Sequence, residues 1–334
     1  MSEIEINISK YSIQEKYGKL NGPQNVMLDI TQKCNMHCMH CYNYSGDCMY
    51  NDLNDEQMID VARQLLEIKP CLVCLCGGEP TIRMPLIVQI TKLLSDQGIF
   101  VNMVSNGILL NEKNLQDLYS NGMKNIQISL DSHKESTVDM FRGRNGAFKA
   151  AINAIENIKK MDRIPTVTFI PTKLNYKDVN GLAHLLYEMG IKSVRYMPFI
   201  PIGRGKANAE RLCLNSKENA ELFWLIKSTE EELGDFSFEY GDPLEHIYLY
   251  RNNYLAATPS LEIKSNGDVQ LSCYIPYIYG NVMTNTLKTL WDSGLRSIWR
   301  NPEFKDIVSR INTLYDLQKQ SIMPYSGKDI NLKM

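Results

Sequence analysis

The chain lacks any apolar run near the ~18 residues that a membrane-spanning helix needs, so none of its 334 residues read as a transmembrane segment. Its opening, MSEIEINISKYSIQEKYGK, lacks the apolar core of a signal peptide. The expectation is a cytoplasmic protein. An excess of one charge is missing too. A net charge of −2 gives no general attraction to nucleic acid or to an anionic membrane. Histidine is scarce, and His133, His184 and His246 show no ligand spacing. A disulfide framework is also absent. The nine cysteines are bunched and uneven, and in a reducing compartment grouped cysteines more often bind metal or do chemistry.

What is present is an ordinary soluble composition, 44% hydrophobic and 22% charged. The length suits one large α/β domain or a barrel with a small appendage. From about residue 25 to 235, β-type runs alternate with amphipathic helical runs. VMLDIT (Val26–Thr31), the continuous apolar CLVCLC (Cys71–Cys76), IFVNMV (Ile99–Val104), IQISLD (Ile126–Asp131), TVTFI (Thr166–Ile170) and SVRYM (Ser193–Met197) read as strands. Helices are expected over Asp55–Ile68, Pro85–Ser95, Glu112–Ser120, Phe148–Met161, Lys177–Met189 and Ser216–Leu233, the last with Ser216 as candidate N-cap. Six βα units wind one way, because parallel crossovers are right-handed. Periodicity alone leaves an open doubly wound sheet and a partial (β/α)6 TIM-like barrel both possible. In either, ligands sit at the carboxyl ends of the strands.

Residues 1–24 form a lead-in, 25–235 the core, and 236–334 a small α+β extension. In the extension FSFEY is strand-like, Asn266-Gly267 reads as a hairpin turn, and short helices are expected around Leu287–Ser293 and Glu303–Ile311. The last twenty or so residues are polar and read as loosely held.

The strongest local signal is Cys34, Cys38 and Cys41 in CNMHCMHCY. Iron–sulfur clusters usually take four thiolates. A loop supplying three leaves one iron for another ligand. The same thiols could hold zinc if His37 or His40 gave a fourth ligand.

Cys-x3-Cys-x2-Cys, the following Tyr42 and the later Gly77-Gly78-Glu79-Pro80 together resemble the radical S-adenosylmethionine (radical SAM) superfamily, over roughly residues 24–235. The resemblance implies a [4Fe–4S] cluster on the three cysteines and S-adenosylmethionine (SAM) on its open iron. It also implies a 5′-deoxyadenosyl radical that abstracts hydrogen from a substrate. Gly77, Gly78, Glu79 and Pro80 match the SAM-binding turn, where glycines admit close backbone approach. Tyr42 falls near the adenine. Asn106, Ser129 and Asp131 fall at SAM's ribose or carboxylate, with ordinary turn roles as the alternative. Arg142 is a carboxylate partner or a solvated charge. Asn175 and Met197-Pro198 resemble rim positions near the adenine, and Gly203-Arg204-Gly205 shapes the open side or is a flexible loop.

The tail run IKSNGDVQLSCYIPYIYGNV, followed by Leu290-Trp291, resembles the SPASM-type extension of peptide-modifying members. That extension normally carries auxiliary clusters. Here only Cys273 lies in the tail, so one cluster in total is expected. Cys71, Cys74 and Cys76 read as small core residues. Cys213 and Cys273 are candidate hydrogen donors to a substrate radical, or spare thiols, and Cys48 has no assigned role. The resemblance implies a peptide or protein substrate, to be epimerised or crosslinked. The alternatives are a small molecule, such as a sugar or antibiotic precursor, and a non-catalytic metal-binding protein. A one-electron reductant such as flavodoxin or ferredoxin is implied. With only about two dozen residues before the first strand, no leader-binding domain is evident, and a separate recognition protein is a further candidate partner.

Overall fold

A computed structural model describes residues 21–47, 50–252, 257–272, 275–314, 316 and 330–331. The lead-in to residue 20, Cys48, Cys273, the His246 side chain and most of the polar tail lie outside the described residues.

The six expected strands form in place: β1 (Asn25–Asp29), β2 (Leu72–Cys76), β3 (Phe100–Ser105), β4 (Met123–Ser129), β5 (Thr166–Phe169) and β6 (Ser193–Tyr196). Each is parallel to the next. Between them run α1 (Asp55–Ile68), α2 (Met84–Ser95), α3 (Glu112–Ser120), α4 (Glu135–Arg142), α5 (Ala147–Lys160) and α6 (Val179–Glu188), and α7 (Ser216–Leu233) follows β6. The strand order is sequential along the sheet. A doubly wound sheet would reverse order at a switch point, so the arrangement is the partial barrel.

Alternation along the strands makes this work. Val26 and Leu28 are fully buried in one apolar core with Met58, Val61, Leu65 and Ile68 of α1. Each such side chain contributes about 1.5–3 kcal/mol on burial. Met27 and Asp29 alternate with them and so share the opposite, inner face with their partners on β2, Cys74 and Cys76. α1 starts cleanly because Asn54 and Gln57 form a capping box.

Three differences from the sequence reading matter most. Helix α4 has no counterpart in it; the helix is only eight residues long and ends at the left-handed Gly143. The N-cap of α7 is Asn215, not Ser216: Asn215 Oδ1 accepts from the Glu218 amide and Glu218 reaches back to the Asn215 amide. The third concerns the tail, which continues the barrel sheet at both ends. β7 (Ser237–Tyr240) pairs in parallel with β6, and β8 (Ser260–Ile263) pairs in parallel with β1. β8 and β9 (Asp268–Ser272) form the expected antiparallel pair, turning at Gly267 with φ +90°. β10 (Ile275–Asn281) and β11 (Ile330–Asn331) complete an 11-stranded sheet.

Candidate active site

The loops after β1 to β6 meet at the carboxyl edge around a cavity of about 260 Å³. Cys34, Cys38 and Cys41 line it, together with Tyr42, Gly77, Gly78 and Glu79. Asn106, Ser129, Arg142, Met197 and Pro198 line it as well. Residues up to 164 positions apart in sequence, Cys34 and Pro198, thus share one wall, brought together by the parallel topology.

Two glycines set the distance between the first two loops. A Cβ on Gly77 would lie 2.4 Å from the Thr31 carbonyl oxygen, and one on Gly78 would lie 2.1 Å from that of Lys33. The space is taken by the cysteine loop's own backbone. The Gly78 amide donates to the Thr31 carbonyl at 2.7 Å and the Glu79 amide to that of Lys33 at 2.9 Å.

Glu79 joins the second loop to the third. Its carboxylate accepts from the Thr81 hydroxyl and amide, from Ser105 Oγ at 2.9 Å and from the Asn106 amide at 2.8 Å. Burial pushes its pKa up, and these donors oppose that. Asn106 in turn donates to Asn35 Oδ1 at 2.7 Å, beside Cys34.

Helix α4 carries the cysteine loop on its last turn. The His37 amide donates to the Arg142 carbonyl and the Met39 amide to that of Phe141. Gly143 must be small there, since a Cβ would lie 2.5 Å from the His37 carbonyl oxygen. Arg142 is almost fully buried. Its Nε donates to Asp131 Oδ2 at 2.7 Å, and its Nη1 lies 4.0 Å from Cys38 Sγ.

Arg204, in the run that the sequence reading gives as shaping the open side or as a flexible loop, holds the cysteine loop as well. Its guanidinium donates to the carbonyls of Cys38 (3.1 Å) and Ser45 (2.7 Å) and to Asp47 (2.9 Å). It also stacks over Tyr44. Gly203, at φ +54°, lets this clamp approach; a Cβ would sit 2.1 Å from the Tyr42 carbonyl oxygen. The Gly203-Arg204-Gly205 run was the only sequence signal.

Other residues sit further out. Asp131 is fully buried behind Arg142, its second oxygen accepting from the Ile170 amide. Asn175 is used up tying Thr172, Asp131 and Ile170 together. Pro80 starts the turn that Glu79 caps. Cys213 lines a neighbouring apolar cavity, also about 260 Å³, which shares Pro198 and Phe199 with the first.

The three thiols line a cavity and, among the described residues, do not close around a single ion. Burial pushes the Cys34 thiol up to about 11 and the Cys38 thiol up to about 12, so both need a strongly positive metal centre to ionise. Arg142 favours ionisation of both. Among the described residues no three His, Cys, Asp or Glu side chains converge on a single-ion site; the three cysteines line a cavity instead. His40 stacks on Phe141 at 4.3 Å, and burial lowers its pKa to about 4. His37 is half exposed beside Asp47. Among the described residues neither joins the thiols in a group of three around one ion.

Known proteins resemble the chain in the same region. Residues 28–186 match the Radical SAM superfamily. The chain is 27% identical over 294 residues to an AdoMet-dependent heme synthase of Methanosarcina barkeri, covering 82% of this chain and 83% of that protein. It is 26% identical over 296 residues to the mycofactocin maturase MftC of Mycobacterium ulcerans, covering 86% and 78%. The structure of Streptococcus suis SuiB bound to its precursor peptide SuiA superposes with a TM-score of 0.69 at 15% identity, over 92% of this chain and 73% of that one. That last likeness is one of fold. The radical SAM match thus spans the three cysteines, the glycine turn and Arg142, in a superfamily that pairs a [4Fe–4S] cluster with S-adenosylmethionine.

Proposed function

We propose that the chain abstracts a hydrogen atom from a peptide or protein substrate, in an epimerisation or crosslinking reaction of peptide natural-product maturation. When bound, the cluster and SAM supply a 5′-deoxyadenosyl radical for that step. In this reading Cys34, Cys38 and Cys41 hold the cluster, with Arg142 and Arg204 fixing their loop from two sides. Gly77, Gly78, Asn106 and Ser129 bound the SAM site, Glu79 braces it, and Tyr42 sits beside the adenine.

The observation that carries the substrate class is the lining. The charged side chains in the cavity wall, Glu79, Arg142 and Arg204, already have partners within the protein. The remaining wall is apolar or neutral, with Met27, Val104, Ile170 and Phe199 beside Gln127 and Thr168. The adjoining cavity is formed by Pro171, Pro201, Leu222 and Tyr240. An uncharged, extended chain suits two such cavities in line. Phosphorylated or multiply carboxylated small molecules want free cations. The MftC relative and the SPASM-like tail favour the same class.

The heme synthase relative keeps the small-molecule alternative in view. A protein of this fold without catalysis would bind metal yet never split SAM. A one-electron reductant of flavodoxin or ferredoxin type, a separate peptide-recognition protein and a cytoplasmic location complete the proposal. Among the described residues no helix is long and apolar enough to cross a membrane.

The test is anaerobic incubation with SAM, reductant and candidate peptides in deuterated water. A peptide that gains one deuterium or loses two hydrogens supports the reading. Turnover of a sugar with every peptide unchanged would replace it with the alternative.

A further inference from the structure

The sequence reading places Cys74 and Cys76 in the core, yet both lie on the inner face of β2. Cys76 Sγ donates to Cys74 Sγ at 3.5 Å. Cys76 is 5% exposed and lines the main cavity directly before Gly77. Cys74 is half-buried and stands level with Met27, itself a lining residue. Alternation turns the exposed Cys71 to the other face. Cys76 thus faces the cavity that the three cluster cysteines line, with the Cys74 thiol in contact behind it.

We propose that Cys76 gives a hydrogen atom to a substrate radical in the main cavity and that Cys74 resolves the thiyl left behind. This rests on the radical-enzyme reading above. The Cys76 S–H bond breaks as a substrate C–H bond forms. The Cys76 thiyl then bonds to Cys74 Sγ while Cys74 releases its proton, giving a disulfide radical anion. Its extra electron passes to a one-electron acceptor of flavodoxin or ferredoxin type and leaves a disulfide. A dithiol reductant restores both thiols by exchange. The net change is one hydrogen gained by the substrate radical, one proton released, one electron handed to the acceptor, and two thiols joined.

Two features suit the pair to this. The hydrogen bond to Cys74 and burial hold Cys76 well above the ordinary thiol range, so its S–H bond stays intact at neutral pH. The two sulfurs lie 3.5 Å apart, and bonding at about 2.05 Å must draw together two same-face side chains set about 6.6 Å apart along the strand. A bridge there is strained and opens readily to an external thiol.

Two measurements test the proposal. First, the protein is mixed with SAM and a non-thiol reductant in deuterated water without substrate, and deuterium is counted per 5′-deoxyadenosine released. A cavity-facing S–D group should deliver one deuterium to most of the product, and C76A should lower that fraction severalfold. Second, protein without SAM is treated with diamide, alkylated and digested with trypsin. The fragment Gln64–Arg83 should carry a Cys74–Cys76 link with Cys71 alkylated, and C76S should abolish the link. An equal deuterium fraction in C76A, or no link between Cys74 and Cys76, overturns the proposal while leaving the radical-enzyme reading in place. Absence of 5′-deoxyadenosine from the wild type sinks that reading instead, and this proposal with it.

Discussion

Arg142 and Asp131 form a buried ion pair behind the cysteine loop, with Nε donating to Oδ2 at 2.7 Å and neither side chain more than 7% exposed. The pair aims one guanidinium nitrogen toward Cys38 Sγ. Removing one partner from such a pair strands the other charge, which costs about 3–5 kcal/mol. Arg142→Met should therefore lower stability in urea unfolding by about that amount. It should also lower the iron bound per chain. Arg142→Met combined with Asp131→Leu should recover much of the stability but not the iron. Equal recovery of both would mean that the guanidinium does nothing for the thiol.

Arg204 acts on the same loop from the opposite face. Arg204→Lys keeps a charge but loses the planar fork that reaches Cys38, Ser45 and Asp47 together. Each lost bond to a charged donor is worth about 1.5–3 kcal/mol. Limited proteolysis should show earlier cutting between residues 35 and 47, with iron content reduced severalfold. Unchanged cutting would assign the clamp no role.

Much of this site was legible in the sequence, for a physical reason. Cys34, Cys38, Cys41, Gly77, Gly78 and Asn106 are short-range signals: thiols at ligand spacing, and small or turn-forming residues directly after apolar strands. The parallel topology brings strand ends together whatever the details. Asp131 and Asn175 have the same appearance, yet they turn toward their neighbours and hold β4 to β5, because a buried carboxylate takes the nearest cation. Arg204 contacts a loop 166 positions away in sequence, and such a contact leaves no local pattern. Helix α4 is short enough that its amphipathic period barely repeats, so the element carrying Arg142 was missed with it. Strand β7 was read as part of the tail because four residues fix neither partner nor direction.

The glycine turn gives a graded test. Gly78→Ala puts a methyl 2.1 Å from a backbone carbonyl, so the cysteine loop must move. Overpacking of this kind costs about 1–3 kcal/mol, and SAM binding in equilibrium dialysis should weaken at least tenfold. Gly98→Ala is the control. Gly98 also has positive φ, +78°, but nothing lies within 4 Å of its missing Cβ. It should cost only about 1–2 kcal/mol of backbone strain and leave SAM binding unchanged. Equal effects at both sites would remove the close approach as the explanation.

Asp29 provides a pH dependence. It is fully buried on the inner face, with Oδ2 accepting from Asn43 and Oδ1 lacking a partner. Burial raises its pKa from 3.8 to about 6. A carboxyl raised in the folded state binds its proton more tightly folded than unfolded. Its favourable share of stability is complete below about pH 4 and is lost as pH rises through about 6. Asp29→Asn lacks this dependence. Wild type should therefore lose about 2–3 kcal/mol relative to the variant between pH 4 and 7. A difference that stays flat across that window would show that Asp29 ionises normally.

The most direct measurement concerns the three cysteines lining the cavity. Anaerobic wild-type protein should be brown, bind about four irons per chain, as one [4Fe–4S] cluster requires, and release 5′-deoxyadenosine from SAM on reduction. Cys34→Ala, Cys38→Ala and Cys41→Ala combined should yield a folded, colourless protein without bound iron or nucleoside release. Iron and nucleoside release that survive in the triple variant would contradict the assignment of the site.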